Sequence, residues 1–284
     1  MKVIWVLENI KKNFYFYSKF NIALLLASVK LWKKNNPQDK CVLYCDKLTK
    51  DLLFTLKVNN YWDEIIEYKS KRNINTEVFW ASCKVEVLSQ QTEPVILLDN
   101  DTLVYKNIYP YLDLNKVYVS NLEIGKGYYP TSINSYVQKL SYKPRWKTES
   151  VNVSFLYLPD PKFTKQYSEL SLKLMEEFTK MNAPNPQYLI FAEQLLLKHL
   201  LEKNSVKYSS IISTYWDCKK WKWGDNHENG VWDINSSGLF YKHYGPLKDI
   251  IKGNGGGYNY KVEYNSLLNC INDKQLNLET ILNK

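Results

Sequence analysis

The stretch from Glu93 to Asp101, EPVILLDND, sets an apolar run directly against two carboxylates spaced one residue apart. Val95 to Leu98 is short, partly β-branched and preceded by proline, which suits a buried strand better than a helix. Strand ends in α/β sheets are usual positions for ligands. Two carboxylates about 4 Å apart repel by roughly 4 kcal/mol at an effective dielectric of 20. Solvent, a basic side chain or a cation must offset that repulsion. A hard divalent ion takes oxygen ligands and keeps positions open for phosphate oxygens. Asp-Asn-Asp is also ordinary turn chemistry, and the triplet alone does not separate the two readings. An EF-hand calcium loop is excluded, because the glycine it needs at its sixth position and the glutamate at its twelfth fall on Val104 and Pro110.

Few residues can complete such a site. The chain holds three histidines. His199, inside LLLKHLLEK, reads as structural, and His227, inside GDNHENG, as a loop residue. His243 lies between Tyr241 and Tyr244, where a satisfied core histidine competes with a metal ligand. Lys84 and Glu193 are charged positions on predicted helices. Solvent alone would explain Lys84, and a cap or a pair with Lys198 would explain Glu193.

The elements that must position these residues alternate. KVIWVLE, CVLYC, DEIIEY and PVILLD read as strands. Between them NIALLLASVKLWKKN, LTKDLLFTLKV and TEVFWASCKVEVLSQQ read as helices. Such alternation predicts a mainly parallel sheet with helices on both faces. After Asp101 the rhythm changes. KVYVSNLEIG and ESVNVSFLYLPD read as strands, separated by a Tyr- and Lys-rich excursion over 126–146. Helices follow over 161–181, with Pro161 near the start as expected, and over 187–204. The aromatic stretch STYWDCKKWKWGDNHENGVW is expected to be irregular, and GLFYKHYGPLK to be a strand running into a loop. A glycine-rich hinge, KGNGGGYNY, precedes a C-terminal tail over 251–284.

Hydrophobic residues make up 45% of the chain and charged residues 24%, which excludes a disordered chain and allows a large core. The net charge of +9 is spread along the sequence rather than gathered in blocks, and no zinc-finger or RNA-recognition motif accompanies it. It favours steering of an anionic substrate over nucleic-acid binding. Five cysteines, with no CxxC pair, point to reduced cytosolic thiols. The longest apolar run, IALLLASV, is far too short to span a bilayer. Any membrane contact is therefore expected to be peripheral.

Taken in order, Lys84, the Asp99-Asn100-Asp101 strand end, the strand from Asn152 to Tyr157, the Glu193-Gln194 pair and the late His243 with Gly245 and Lys248 resemble the GT-A fold nucleotide-sugar glycosyltransferases. The likeness is greatest to the retaining branch that includes glycogenin and the bacterial lipooligosaccharide galactosyltransferases. It implies a single GT-A domain over 1–250, with a nucleotide-sugar-binding half over 1–121 and an acceptor-side half over 122–250. Its sheet would be mixed and mostly parallel, flanked by helices. It implies transfer of a sugar from a UDP-linked donor, with retention, to a hydroxyl of a glycan, glycolipid or protein. Mn²⁺ or Mg²⁺ is the implied cofactor, with Asp99, Asp101 and His243 as ligands. Asp99, Lys84, Asn152 and Lys248 are the implied donor contacts, and Glu193 and Gln194 flank the reacting sugar carbon. Ser154 stands where the family prefers Gly, the gaps from His243 to Gly245 and to Lys248 are each one residue longer, and the terminal Pro-Trp is missing.

The chemistry of the residues agrees: a cation and a lysine neutralise charge building on a departing diphosphate, and carboxylates with one imidazole suit Mn²⁺ somewhat better than Mg²⁺. Two other readings stand beside this one. One is an inverting enzyme with Glu193 as general base. The other is a carbohydrate- or nucleotide-binding protein without turnover.

Overall fold

A computed structural model describes residues 1–7, 18–125, 134–144, 149–183, 187–220, 222–226, 230–232, 241–243 and 260–271. In chain order the strands are β1 (Lys2–Leu7), β2 (Lys40–Cys45), β3 (Glu64–Glu67), β4 (Val95–Leu98), β5 (Thr102–Val104), β6 (Val117–Ile124), β7 (Glu149–Leu158), β8 (Tyr208–Ile212), β9 (Thr214–Asp217), β10 (Lys222–Asn226), β11 (Gly230–Trp232) and β12 (Tyr241–His243). The helices are α1 (Lys19–Asn35), α2 (Lys47–Thr55), α3 (Ser82–Ser89), α4 (Ser135–Gln138), α5 (Pro161–Lys180), α6 (Gln187–Ile190), α7 (Leu196–Lys203) and α8 (Tyr260–Ile271). The chain forms two compact units, each assembled from separated segments: Met1–Tyr68, Leu98–Pro110 and Ser237–Lys284 in the first, Lys69–Leu97 and Tyr111–Ser236 in the second.

In the first unit β1, β2 and β3 run parallel, Val3 opposite Cys41 and Leu43 opposite Ile65. Five consecutive residues of β1 and five of β2 are buried, the continuous apolar pattern of strands covered on both faces. Helix α1 starts where the Ser18 hydroxyl accepts from the Asn21 N–H (3.3 Å). It is buried nearly all round, which accounts for its lack of a polar face through IALLLASV. Helix α8, within the expected C-terminal tail, packs on α1: Tyr260 meets Phe20 at 5.5 Å between ring centroids, and Tyr264, Leu267 and Ile271 are buried. The buried Cys41 and Cys45 thiols are pushed up to about 12 by burial, so neither is poised to react. None of the five cysteines forms a disulfide.

In the second unit β6 is the central strand. It pairs antiparallel with β7, while its first residues run parallel to β8 and its last parallel to β9. β10 adds antiparallel to β9, and β11 parallel to β8. The fold class is therefore the expected mixed α/β arrangement, with mostly parallel strand pairing and flanking helices. The aromatic stretch read as irregular is instead the strands β9 to β11, with Trp216 opposite Trp223 in the register. Gly224 carries no Cβ because one would lie 2.0 Å from the Tyr215 ring. The helix expected from Thr76 begins only at Ser82. Asn75 takes the preceding residues into turns, its side chain accepting from the Glu77 N–H (3.1 Å) and its carbonyl from Phe79 (2.9 Å). Among the described residues no helix is long and apolar enough to cross a membrane.

The turn after β4 is anchored from below. Trp5 Nε1 donates to Ser28 Oγ (2.9 Å), and that hydroxyl donates to the Thr102 carbonyl (2.6 Å), all in the buried interior. Ser28→Ala leaves both outer groups without this link and should cost about 1–3 kcal/mol of stability by urea unfolding. A change within about 0.5 kcal/mol, the range of ordinary surface substitutions, would show that the relay does not anchor the turn.

Candidate active site

β4 ends at Leu98 and β5 begins at Thr102, so Asp99, Asn100 and Asp101 form the link between two strands. The Thr102 N–H donates to the Asp99 carbonyl (3.1 Å), closing a tight turn. Asn100 turns its side chain onto β1 and donates from Nδ2 to the Val6 carbonyl (3.1 Å). The middle residue of the triplet is thus a structural anchor, and the two acids flank it. β12 then pairs antiparallel with β5, and His243 takes the position opposite Thr102, the residue after Asp101. That register carries an imidazole from far along the chain to the carboxylates. His243 Nε2 lies 3.4 Å from Asp101 Oδ1 and 4.0 Å from Asp99 Oδ2. One ligand atom from each of the three residues falls within 4.8 Å of the others, and Asp101 is buried.

The donor set fits a divalent ion. Two carboxylates and one imidazole are ligands for Mn²⁺ and neighbouring metals, with charge to neutralise and positions left for other oxygens. Ligands about 2.1 Å from an octahedral ion lie roughly 3 Å apart in adjacent positions. The Asp101–His243 pair is close to that spacing, and Asp99 needs a modest rotation.

The second unit organises the other sequence candidates. The run from Gln187 to Lys203 is one helical course interrupted by a π turn over Phe191–Leu195, which holds Glu193 and Gln194. Single π turns often mark functional positions, because the extra residue re-aims side chains. Glu193 is buried, with its Oε1 3.3 Å from Lys84 Nζ, and its backbone carbonyl accepts from the Tyr167 hydroxyl (3.2 Å). Burial and the Glu193 charge hold the Tyr167 hydroxyl well above its ordinary range, so it stays a neutral donor. Lys198, the alternative partner for Glu193, instead lies beside Glu202 (3.2 Å) and bonds the Tyr208 hydroxyl. Asn152 on β7 donates to Glu123 Oε1 on β6 (2.8 Å) and accepts from the Ser154 N–H (3.0 Å). A backbone N–H serves there, so the bond does not depend on the Ser154 side chain. With its amide turned to suit its neighbours, Gln194 donates to Glu123 Oε2 (3.3 Å) and to the Val151 carbonyl (3.2 Å).

Glu123 is the residue sequence reasoning missed. Its signal was the one charged residue in the strand VYVSNLEI. His199 bonds the Tyr142 hydroxyl (2.8 Å) and packs on its ring, as a structural histidine does. Lys248 and His227 lie outside the described residues.

Residues 4–230 match the model of a family of unknown function, DUF6734. The chain belongs to this family. The DUF6734 match ends before β12, so His243 is supplied from beyond it. No curated protein matches the chain. Among solved structures, the glycosyltransferase GlyE of Streptococcus pneumoniae TIGR4 is 16% identical, with a TM-score of 0.40, over 74% of this chain and 45% of its own. The chain thus spans less than half the length of GlyE. The galactosyltransferase LgtC, solved with donor and acceptor sugar analogues, is 13% identical over 74% of this chain and 73% of its own, with a TM-score of 0.40. An active-site mutant of LgtC is 12% identical with a TM-score of 0.41, covering 74% and 72%. At these values the likeness carries no argument about activity.

The Lys84–Glu193 pair in this DUF6734 protein is largely withdrawn from water, its side chains 15% and 6% exposed. Removing one member of such a pair costs about 3–5 kcal/mol, whereas replacing both with apolar or neutral groups costs far less. Lys84→Met should therefore destabilise strongly, and Glu193→Gln in the same chain should recover most of the loss. Additive losses in a double-mutant cycle would show that the two charges are not coupled.

Proposed function

We propose that the protein is a metal-dependent glycosyltransferase that moves a sugar from a nucleotide donor, UDP-linked, to a hydroxyl of a glycan, glycolipid or protein, with retention. The observation that carries this reading is the convergence of Asp99, Asp101 and His243, which plain sugar binding does not need. The order of motifs in the sequence, with its resemblance to the retaining GT-A enzymes, supports it. Asp99 and Asp101 offer carboxylate oxygens and His243 its Nε2 to a divalent ion, Mn²⁺ ahead of Mg²⁺ by the ligand chemistry. When bound, that ion supplies positive charge against the diphosphate as it departs. Lys84 and Lys248 are the lysines that the resemblance places on the donor, and Asn152 and Gln194 the amides that hold its sugar.

The setting of Glu193 favours retention over the inverting alternative. A general base must be open to a proton. Glu193 is instead buried, with its carboxylate taken up by Lys84. Glu193 therefore acts on this reading as a fixed charge that orders the π turn.

Nucleotide sugars incubated with Mn²⁺ should release nucleoside diphosphate, with UDP donors the most active and EDTA stopping release. Asp101→Asn keeps the fold and removes one ligand charge, so release should fall by more than about 10²-fold, the scale of losing one electrostatic stabiliser. Full activity of Asp101→Asn at saturating Mn²⁺ would overturn the metal assignment. A wild-type protein that binds nucleotide sugars and turns none over would favour the binding-protein reading.

A further inference from the structure

The carboxylate of Glu123 receives the amides of two residues from different elements. Oε1 accepts from Asn152 Nδ2 on β7 (2.8 Å), and Oε2, with the Gln194 amide turned to suit its neighbours, from that side chain in the π turn (3.3 Å). An ionised carboxylate is an acceptor only. Each amide must therefore present its NH₂ to Glu123, and each carbonyl must point elsewhere. For Asn152 the carbonyl is taken by the Ser154 N–H (3.0 Å). For Gln194 the second N–H goes to the Val151 carbonyl (3.2 Å), and Oε1 is left turned away from the carboxylate. A neutral hydroxyl or amide in place of Glu123 would impose no such polarity.

We infer that Glu123 is a positioning residue that fixes Gln194 as an acceptor and Asn152 as a donor, a matched pair for two neighbouring hydroxyls of a sugar. The inference rests on the glycosyltransferase reading for the identity of the ligand, but not for the orientation itself. The backbone makes the arrangement repeatable. β6 and β7 are paired with Asn121 opposite Asn152 and Glu123 opposite Ser150, so Glu123 and Asn152 are diagonal neighbours across the ladder. The register shifts between the Val119–Leu156 and Asn121–Asn152 pairs, with the extra residues on β7, and this shift sets which side chains meet there. Gln194 reaches the carboxylate from a π turn whose adjoining Glu193 is held by Lys84 and Tyr167.

Side-chain amide spectra of the ¹⁵N-labelled full chain test this directly, with Gln194→Glu identifying the Gln194 signals. In the wild type the Gln194 amide protons should exchange with solvent about tenfold or more slowly than those of exposed glutamines, the scale of one hydrogen bond to a charged group. Glu123→Ala should remove the protection of the N–H that faces Glu123, and the isosteric Glu123→Gln should reduce it while circular dichroism stays unchanged. A Gln194 amide equally protected in a folded Glu123→Ala or Glu123→Gln chain overturns the inference. Donor hydrolysis is the second arm. Glu123→Gln should lower kcat by about tenfold or more while the Mn²⁺ affinity stays that of the wild type, because the metal ligands are not touched. Loss of Mn²⁺ affinity in the same variant would show a general structural role and also overturn it. A wild type without turnover would sink the glycosyltransferase reading and leave the amide result to decide the role of Glu123.

Discussion

The antiparallel pairing of β12 with β5 is the constraint on which the metal-site account depends. It sets His243 opposite Thr102 and so beside Asp101. Two carboxylates within about 4–5 Å repel by roughly 3–4 kcal/mol at an effective dielectric of 20. Asp101 is mostly buried, so water screens little of that. The protein nonetheless holds both acids in a short turn whose middle residue is bonded to β1 and whose end is bonded to α1 through Ser28. The acids are positioned rather than tolerated, and on the proposed reading the neighbouring imidazole would be the third ligand of a cation. The Lys242–Glu263 pair (2.9 Å) ties the same strand to α8, which in turn rests on α1.

The second unit meets a different problem, charge and amide groups set among apolar elements. Each is answered by a partner: Lys84 by Glu193, Asn152 and Gln194 by Glu123, and Lys198 by Glu202 on its own helix and Tyr208 on β8. Buried polar groups that keep their partners define one arrangement, because losing any bond is costly. The π turn is where that arrangement is tightest. It sets Glu193 and Gln194 on separate carboxyl and lysine partners, though they are adjacent in the chain.

Much of the fold was legible in the sequence, and the reasons are local. The strands β1, β2, β4 and β7 and the helices α1 and α5 announce themselves by long apolar runs, caps and Pro161. Asp99, Asp101 and His243 could be singled out because acids at a strand end and scarce histidines are conspicuous. Short strands were not legible. β5 has three residues, and its pairing with β12 is set by contacts far apart in sequence. The strands β9 to β11 carry aromatic residues without alternation, so no period of two marks them. The π turn leaves the helical period of its flanks intact and cannot be seen in the letters. Glu123 was overlooked because the meaning of one acid in a strand depends on which amides lie across from it.

The central claim is that His243 ligates a divalent ion held by Asp99 and Asp101, and pulsed electron paramagnetic resonance of bound Mn²⁺ tests it most directly. Nitrogen coupling from a single imidazole is the expected signal in the wild-type protein. That coupling should vanish in His243→Ala and persist in His199→Ala. A Mn²⁺ spectrum with no nitrogen coupling, or one unchanged by His243→Ala, would contradict the account.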